Sequence, residues 1–171
     1  MKKYIRFAMM ALTMGFGLTA CDVDTDEEPG GTNVQNLAGH WEVIVDIVDE
    51  SGNVIHSDPY GLGVIDLMTY NTSANDTDSM WITDNNNFWK FKMKVPCNAM
   101  MLTFACTETD YDAKGSGQAV ITNGRVLLGA ATNLHGMPND SIVFDISFSD
   151  DEPPYATTYR ISGQKYTGFY E

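Results

Sequence analysis

Three histidines, His40, His56 and His135, are the side chains through which general acid–base chemistry near neutral pH would run. His56-Ser57-Asp58 sets the three residue types of a hydrolytic triad side by side. Neighbours on an extended strand point to opposite faces, so these three cannot converge on one substrate and read instead as a polar loop. His135 lies in Asn133-Leu134-His135-Gly136-Met137-Pro138, a loop by composition, and nothing in the sequence selects a carboxylate to serve it. The chain has no Gly-x-Ser-x-Gly elbow, no His-Glu-x-x-His and no Cys-x-x-Cys, so the catalytic residues are unassigned. Asp76-Thr77-Asp78 and Asp84-Asn85-Asn86-Asn87 offer oxygen ligands, yet neither keeps the spacing, glycine and terminal glutamate of a calcium loop. Asx side chains in such clusters cap turns, so turns are expected there, with no metal and no cofactor.

The clearest chemistry belongs to a cysteine. Lys2, Lys3 and Arg6 precede the apolar run Phe7 to Leu18, which is well short of the ~20 residues that span a bilayer as a helix. Residues 1–20 therefore read as a signal peptide. The segment ends in Leu18-Thr19-Ala20-Cys21, which resembles the lipobox of bacterial lipoproteins. The resemblance implies a diacylglycerol on the Cys21 sulfur, cleavage before it and acylation of the new amino group. More than one chain matters, because a single acyl chain holds a protein to a membrane only marginally. Once the leader is removed, seven Lys and Arg face 23 Asp and Glu, a net charge of −16. Such a surface repels phosphate backbones, which argues against nucleic acid as a partner. Residues 21–36 are acidic, then rich in Gly and polar residues, and read as a flexible tether. Asp22, Asp24, Asp26, Glu27 and Glu28 resemble a surface-export signal of some Bacteroidota lipoproteins and equally suit a solvated spacer.

From Leu37 onward, residues 37–171 form one domain in which the apolar residues repeat every second position. Trp41, Val43, Val45 and Ile47 share one face. Trp89, Phe91, Met93 and Val95 alternate with Lys90, Lys92 and Lys94; Leu102, Phe104 and Cys106 continue the scheme. Ala119 and Ile121 run into Asn123-Gly124 and then Val126 and Leu128, a pattern that predicts a two-residue hairpin turn. Ile142, Phe144, Ile146 and Phe148 follow, then Tyr159 and Ile161. Shorter runs at 54–56, 64–70 and 80–83 bring the total to eight or nine strands, with no sustained helical period. The expected fold is all-β: an antiparallel up-and-down barrel of about eight strands, with a two-sheet sandwich as the alternative. The spacing of Cys97 and Cys106 favours two buried thiols over a disulfide.

Three stretches carry a family resemblance: YNTSANDTDSMWITDNNNFWKFKMKV from Tyr70 to Val95, NDSIVFDISFSDD from Asn139 to Asp151, and TYRISGQKYTGF from Thr158 to Phe169. With the lipobox and Ile121-Thr122-Asn123-Gly124, they resemble the Bacteroidota family named lipid-binding putative hydrolase. The resemblance implies a lipocalin-like barrel on an outer-membrane lipoprotein, facing the periplasm or the cell exterior, that binds a lipid. The family name also implies hydrolysis. Gly39-His40-Trp41 is similar to the Gly-x-Trp of lipocalins, whose tryptophan plugs one barrel end beneath an arginine; Arg160 is the candidate for that arginine. Thr109-Asp110-Tyr111 matches a further short lipocalin motif.

Two functions of different class follow, with a third behind them. The first is a tethered carrier whose barrel holds a lipid or other small apolar molecule. Trp81, Trp89, Phe91, Met93, Leu102 and Phe104 are the candidate cavity residues, although the same residues would serve equally as a solid core. The second is an esterase-like hydrolase, and the third a glycan-associated or adhesive surface module. The anchor is directly testable: Cys21→Ser should abolish lipidation and leave the chain soluble or uncleaved. Persistence of the variant in the detergent phase of the membrane fraction would overturn the lipobox reading.

Overall fold

The computed structural model describes residues 31–154 and 157–168. The leader, Cys21 and the acidic stretch through residue 30 lie outside the described residues. The strands are β1 (Gly39–Val48), β2 (Val54–Ser57), β3 (Ile65–Asn71), β4 (Ser79–Thr83), β5 (Lys92–Asn98), β6 (Thr103–Asp110), β7 (Gln118–Thr132), β8 (Pro138–Phe148) and β9 (Thr158–Lys165), with no helix among the described residues. Every pairing is antiparallel, and β1 pairs with β9 as well as β3. Eight strands thus close into a barrel, as the alternation predicts, with β2 as one extra strand.

The strand that follows β1 is broken in two. β3 pairs with the first half of β1, from Gly39↔Thr69 to Val43↔Ile65, and β2 with its last residues, Asp46 to Val48. Asp58 makes the break. It adopts a left-handed φ of 44°, donates its N–H to Asp46 Oδ1, and accepts the Leu62 and Gly63 N–H groups on its carboxylate. His56-Ser57-Asp58 is therefore a strand end and a turn, in keeping with its reading as a polar loop.

Alternation fills the barrel. Trp41, Phe91, Val95, Phe144 and Ile161 are fully buried, with Met93 and Ile121 at 1% exposure. A water-sized void beside these side chains would leave surface accessible, so the interior around them is packed solid. Asn123-Gly124 does not form the predicted hairpin. Both residues lie inside the long strand β7, where Asn123 takes φ 56° and the register shifts against β8 between Thr122 and Arg125. An Asn that tolerates left-handed φ suits a bulge as well as a turn, and here the flanking strands extend the ladder past it. Gly124 is required at this bulge, because a Cβ would lie 2.3 Å from the Phe104 carbonyl oxygen and 2.6 Å from its ring. The reversal comes instead at residues 133–137, where Asn133 Oδ1 accepts the N–H groups of His135 and Met137.

Each barrel end has its own plug. At the first, the chain enters through a turn at residues 33–37 that places Val34 and Leu37 in the core. Residues from Thr32 onward belong to one compact unit. Two aliphatic residues three apart on one turn are enough to anchor an otherwise polar stretch. The Trp41 indole donates to Thr69 Oγ1 at 2.8 Å, and that hydroxyl donates to the Leu37 carbonyl at 2.6 Å. The cation over the Trp41 ring is Lys165, at 5.5 Å, and not Arg160. The β1–β9 register explains the difference: Trp41 pairs with Lys165, while Arg160 lies opposite Asp46, five positions along. Arg160 also sits between inward Tyr159 and Ile161, so it faces out.

The second end is aromatic. Trp89 stacks on Phe148 at 4.5 Å between centroids, and Phe88, Tyr60 and Tyr159 close around them. Asp150 accepts from the Trp89 indole and the Tyr111 hydroxyl, and Asp151 from the Tyr159 hydroxyl. Burial, then the bond to Asp150, pushes the Tyr111 phenol up to about 12. Asp84 shapes the loop that carries Phe88 and Trp89: fully buried, its carboxylate accepts four N–H groups, from Asn86, Phe88, Trp89 and Lys90. This is a turn, as its Asx composition suggests.

Two outcomes follow from this packing. Gly163→Ala should lower unfolding stability in urea by roughly 2 kcal/mol or more, because the added Cβ would fall 1.9 Å from the Glu42 carbonyl oxygen. The raised Tyr111 phenol contributes stability that is complete below its ordinary pKa near 10 and disappears as pH rises through about 12. Tyr111→Phe should therefore lose less stability between pH 9 and pH 12 than the parent chain, measured as denaturation midpoints.

Candidate functional site

With the interior filled, the concave surfaces large enough for a ligand lie on the outer wall. The first is a groove of about 420 Å³ between β5, β6 and β7, lined by Pro96, Cys97, Phe104, Ala105, Gly124 and Arg125, among others. Its floor is mostly carbon. Two irregularities open it. The bulge at Asn123 interrupts β7, with register shifts on both of its ladders. The β5–β6 seam is also slack. It is paired at Cys97↔Phe104 and Asn98↔Thr103, and Lys92 N–H meets the Tyr111 carbonyl at 2.7 Å further along. Between them, Glu108 sits at φ 39° in β6. Cys97 donates its N–H to Asp78 on the β4 side, so alternation turns the Pro96 nitrogen toward β6, where it has no hydrogen to give.

The second surface is a polar pocket of about 470 Å³ over β7, β8 and β9, roofed by the loop from Asp49 to Gly52 and lined by Thr122, Asp145, Thr158 and Arg160. Asn123 and Arg125 line both surfaces, so the apolar groove and the polar pocket are neighbours on the wall. Asp145, 4% exposed, is its fixed centre. Burial opposes its ionisation, but bonds from Arg160 and Asn123 and the charges of Arg160 and Arg125 outweigh it and hold the carboxyl below the usual carboxylate range. Arg160 grips both Asp145 oxygens at 2.8 and 3.1 Å and donates to the Gly52 carbonyl at 2.7 Å, which pins the roof loop. Arg125 is exposed and holds no ion pair among the described residues. Both arginines that remain after the leader thus meet at one pocket, in a chain where acids far outnumber bases.

The residues singled out from the sequence divide by place. Phe91, Met93 and Phe104 face inward as expected, but as packed core, with no space between them for a guest. Trp89 lies before β5 and belongs to the aromatic plug. Leu102 sits in the β5–β6 turn at φ 56°, half-buried. Trp81 faces outward, since its neighbours Met80 and Ile82 fill the core, and Lys92 lies over its ring at 5.7 Å. Gly39 packs its backbone against the Trp41 ring at the barrel end. Cys97 and Cys106 are free thiols, and burial, then Asp78, raises the Cys97 thiol away from the reactive thiolate.

The sequence reading missed Asn123 and Arg125 as site residues, and it assigned Arg160 to the wrong end of the barrel. Their scarcity was the available signal: two arginines in an acidic domain, each on a strand. His40 does find a carboxylate, Asp66, at 2.6 Å across β1 and β3. Its ring lies against Tyr166, and among the described residues no serine, threonine or cysteine hydroxyl or thiol bonds to it. The pair is half-exposed on the outer wall.

Comparison with curated protein sequences finds no match. The profile of one family, described as lipid-binding putative hydrolase, matches residues 26–170. That span takes in the whole barrel, both halves of the outer groove and the turn that plugs the Trp41 end, and on it the chain belongs to the lipid-binding putative hydrolase family.

Proposed function

We propose that this chain is an outer-membrane lipoprotein, anchored through Cys21, that binds a single lipid along the outer wall of its barrel and not inside it. One observation carries the reading: Asn123 and Arg125 border both an apolar groove and the pocket that holds both arginines. An amphiphile has the same two halves. Its acyl chain lies over Pro96, Ala105, Phe104 and Gly124, and its head group reaches Arg125. Each surface exceeds the ~300 Å³ at which small-molecule sites begin. The pocket also presents Asp49 and Glu50 on its roof, so a head group with a phosphate for Arg125 and an ammonium for the carboxylates fits better than a purely anionic one. Hydrolysis is not part of the proposal.

Lysophosphatidylethanolamine, titrated below its micellar concentration, is the probe for this reading. Arg125→Ser should weaken its binding by roughly tenfold, the loss of one charge-assisted contact. Ala105→Trp should block the apolar half, since the added ring occupies the groove on an exposed strand face and leaves the core untouched. Calorimetry or native mass spectrometry reads both. Affinity unchanged in both variants would sink the outer-wall site.

A further inference from the structure

The chain enters its fold at one identifiable end of the barrel. Asn33 hydrogen-bonds to Asn75 through both its backbone N–H and its side-chain amide, which ties the first ordered turn to the β3–β4 loop. That loop, the start of β1, the β5–β6 turn and the β7–β8 hairpin all lie at the same end, as the ladders Gly39↔Thr69, Asn71↔Met80, Ser79↔Pro96, Asn98↔Thr103 and Thr103↔Arg125 require. Six large apolar side chains are exposed there. Met100 and Met101, at 94% and 70%, cap the β5–β6 turn; Leu127, Leu128, Leu134 and Met137 lie on the β7–β8 hairpin, with Leu134 at 66% and Met137 at 62%.

The hairpin overhangs its neighbour. β6 begins at Thr103, opposite Arg125, and Val126 N–H bonds to Leu102 C=O in the turn, so β7 has no β6 partner beyond that point. β8 stays with it as far as Thr132↔Pro138. Along β8 four residue steps separate Ile142, opposite Val126, from Pro138, opposite Thr132, so at ~3.3 Å per residue the paired overhang extends roughly 13 Å beyond Val126. Ten residues, 22–31, separate Cys21 from Thr32. Eleven residue steps bound the distance from Cys21 to Thr32 at about 40 Å. In a chain anchored at Cys21, this end of the barrel is the part of the described structure nearest the anchor along the chain.

We infer that the β7–β8 hairpin and the β5–β6 turn are a lipid-surface docking face, through which Met100, Met101, Leu134 and Met137 insert between head groups. The inference rests on the anchored reading above and adds which end of the barrel meets the membrane. Insertion is apolar, not electrostatic: Asp76 and Asp78 stand on the β3–β4 loop at the same end, in a chain already strongly acidic. The surface it fits is therefore zwitterionic. The apolar groove of the outer wall includes Asn98 and Thr103, the two residues that flank the β5–β6 turn, so that groove opens close to the head groups from which a lipid would be taken.

The test uses the mature chain with Cys21→Ser, so that no acyl chain contributes, and vesicles of phosphatidylcholine and phosphatidylethanolamine. The parent should sediment with these vesicles, and less so when phosphatidylglycerol is added. Met100→Ser with Met101→Ser, and separately Leu134→Ser with Met137→Ser, should each reduce partitioning by roughly tenfold, the direction set by lost apolar burial. Ile55→Ser with Val64→Ser removes equally exposed apolar residues from the opposite end and should change nothing. All four tip residues are exposed, so thermal melts should be unaltered. No sedimentation of the parent, an equal loss from the Ile55 and Val64 variant, or a tip-dependent dimer in ultracentrifugation would overturn the docking face. Failure of the Cys21 anchor shows separately, in detergent partitioning of the full chain.

Discussion

The eight-residue ladder between β1 and β9, from Trp41↔Lys165 to Val48↔Thr158, turns a meander of hairpins into a closed wall. It holds only because Gly163 has no side chain where the two backbones come together. Closure removes the edges of the first and last barrel strands, and it sets how much volume the interior has to fill. Here that volume is taken up by Trp41, Phe91, Met93, Phe144, Tyr159 and their neighbours. A family described as lipid-binding is thus built, in this chain, on a barrel whose described interior side chains are closely packed. The recognition proposed above uses the outer surface, where the wall departs from regular pairing.

Several of these departures coincide between β5, β6 and β7. Asn123 and Glu108 take left-handed backbone, Pro96 withholds a ladder hydrogen, and Gly124 admits the Phe104 ring. Each weakens the sheet a little, and together they create the one stretch of outer wall where carbon lies recessed beside a guanidinium. Asp145 then sets the direction of charge. By engaging Arg160 fully, it leaves Arg125 as the arginine available to a guest.

Much of this was legible in the residues. Alternation alone yields the barrel, since a period of two decides which side of each strand is buried before any partner is known. The same rule, applied strictly, would have placed Trp81 and Arg160 outside, because each lies between two inward residues. It would also have chosen Lys165, which shares parity with Ile161, as the cation at the Trp41 end. The Asn-Gly pair is a different matter. Its preference for left-handed φ is local, and whether that preference becomes a turn or a bulge depends on strands 20 or more residues away. The composite groove could not be read from the chain for the same reason: its two halves come from five strands and a loop, joined only by the register of the closed sheet.

The extra strand β2 has a consequence for self-association, because an unpaired strand edge is a template on which a second copy can grow. β2 is the terminal member of the sheet order, so its outer edge is one such template, and the β7 overhang beyond Arg125 is another. β2 is four residues long, fully exposed, and halted by the left-handed turn at Asp58. An edge that short offers few backbone bonds to nucleate a stack. Breaking the strand after β1 in two thus leaves the barrel wall closed and shortens the border that β2 presents.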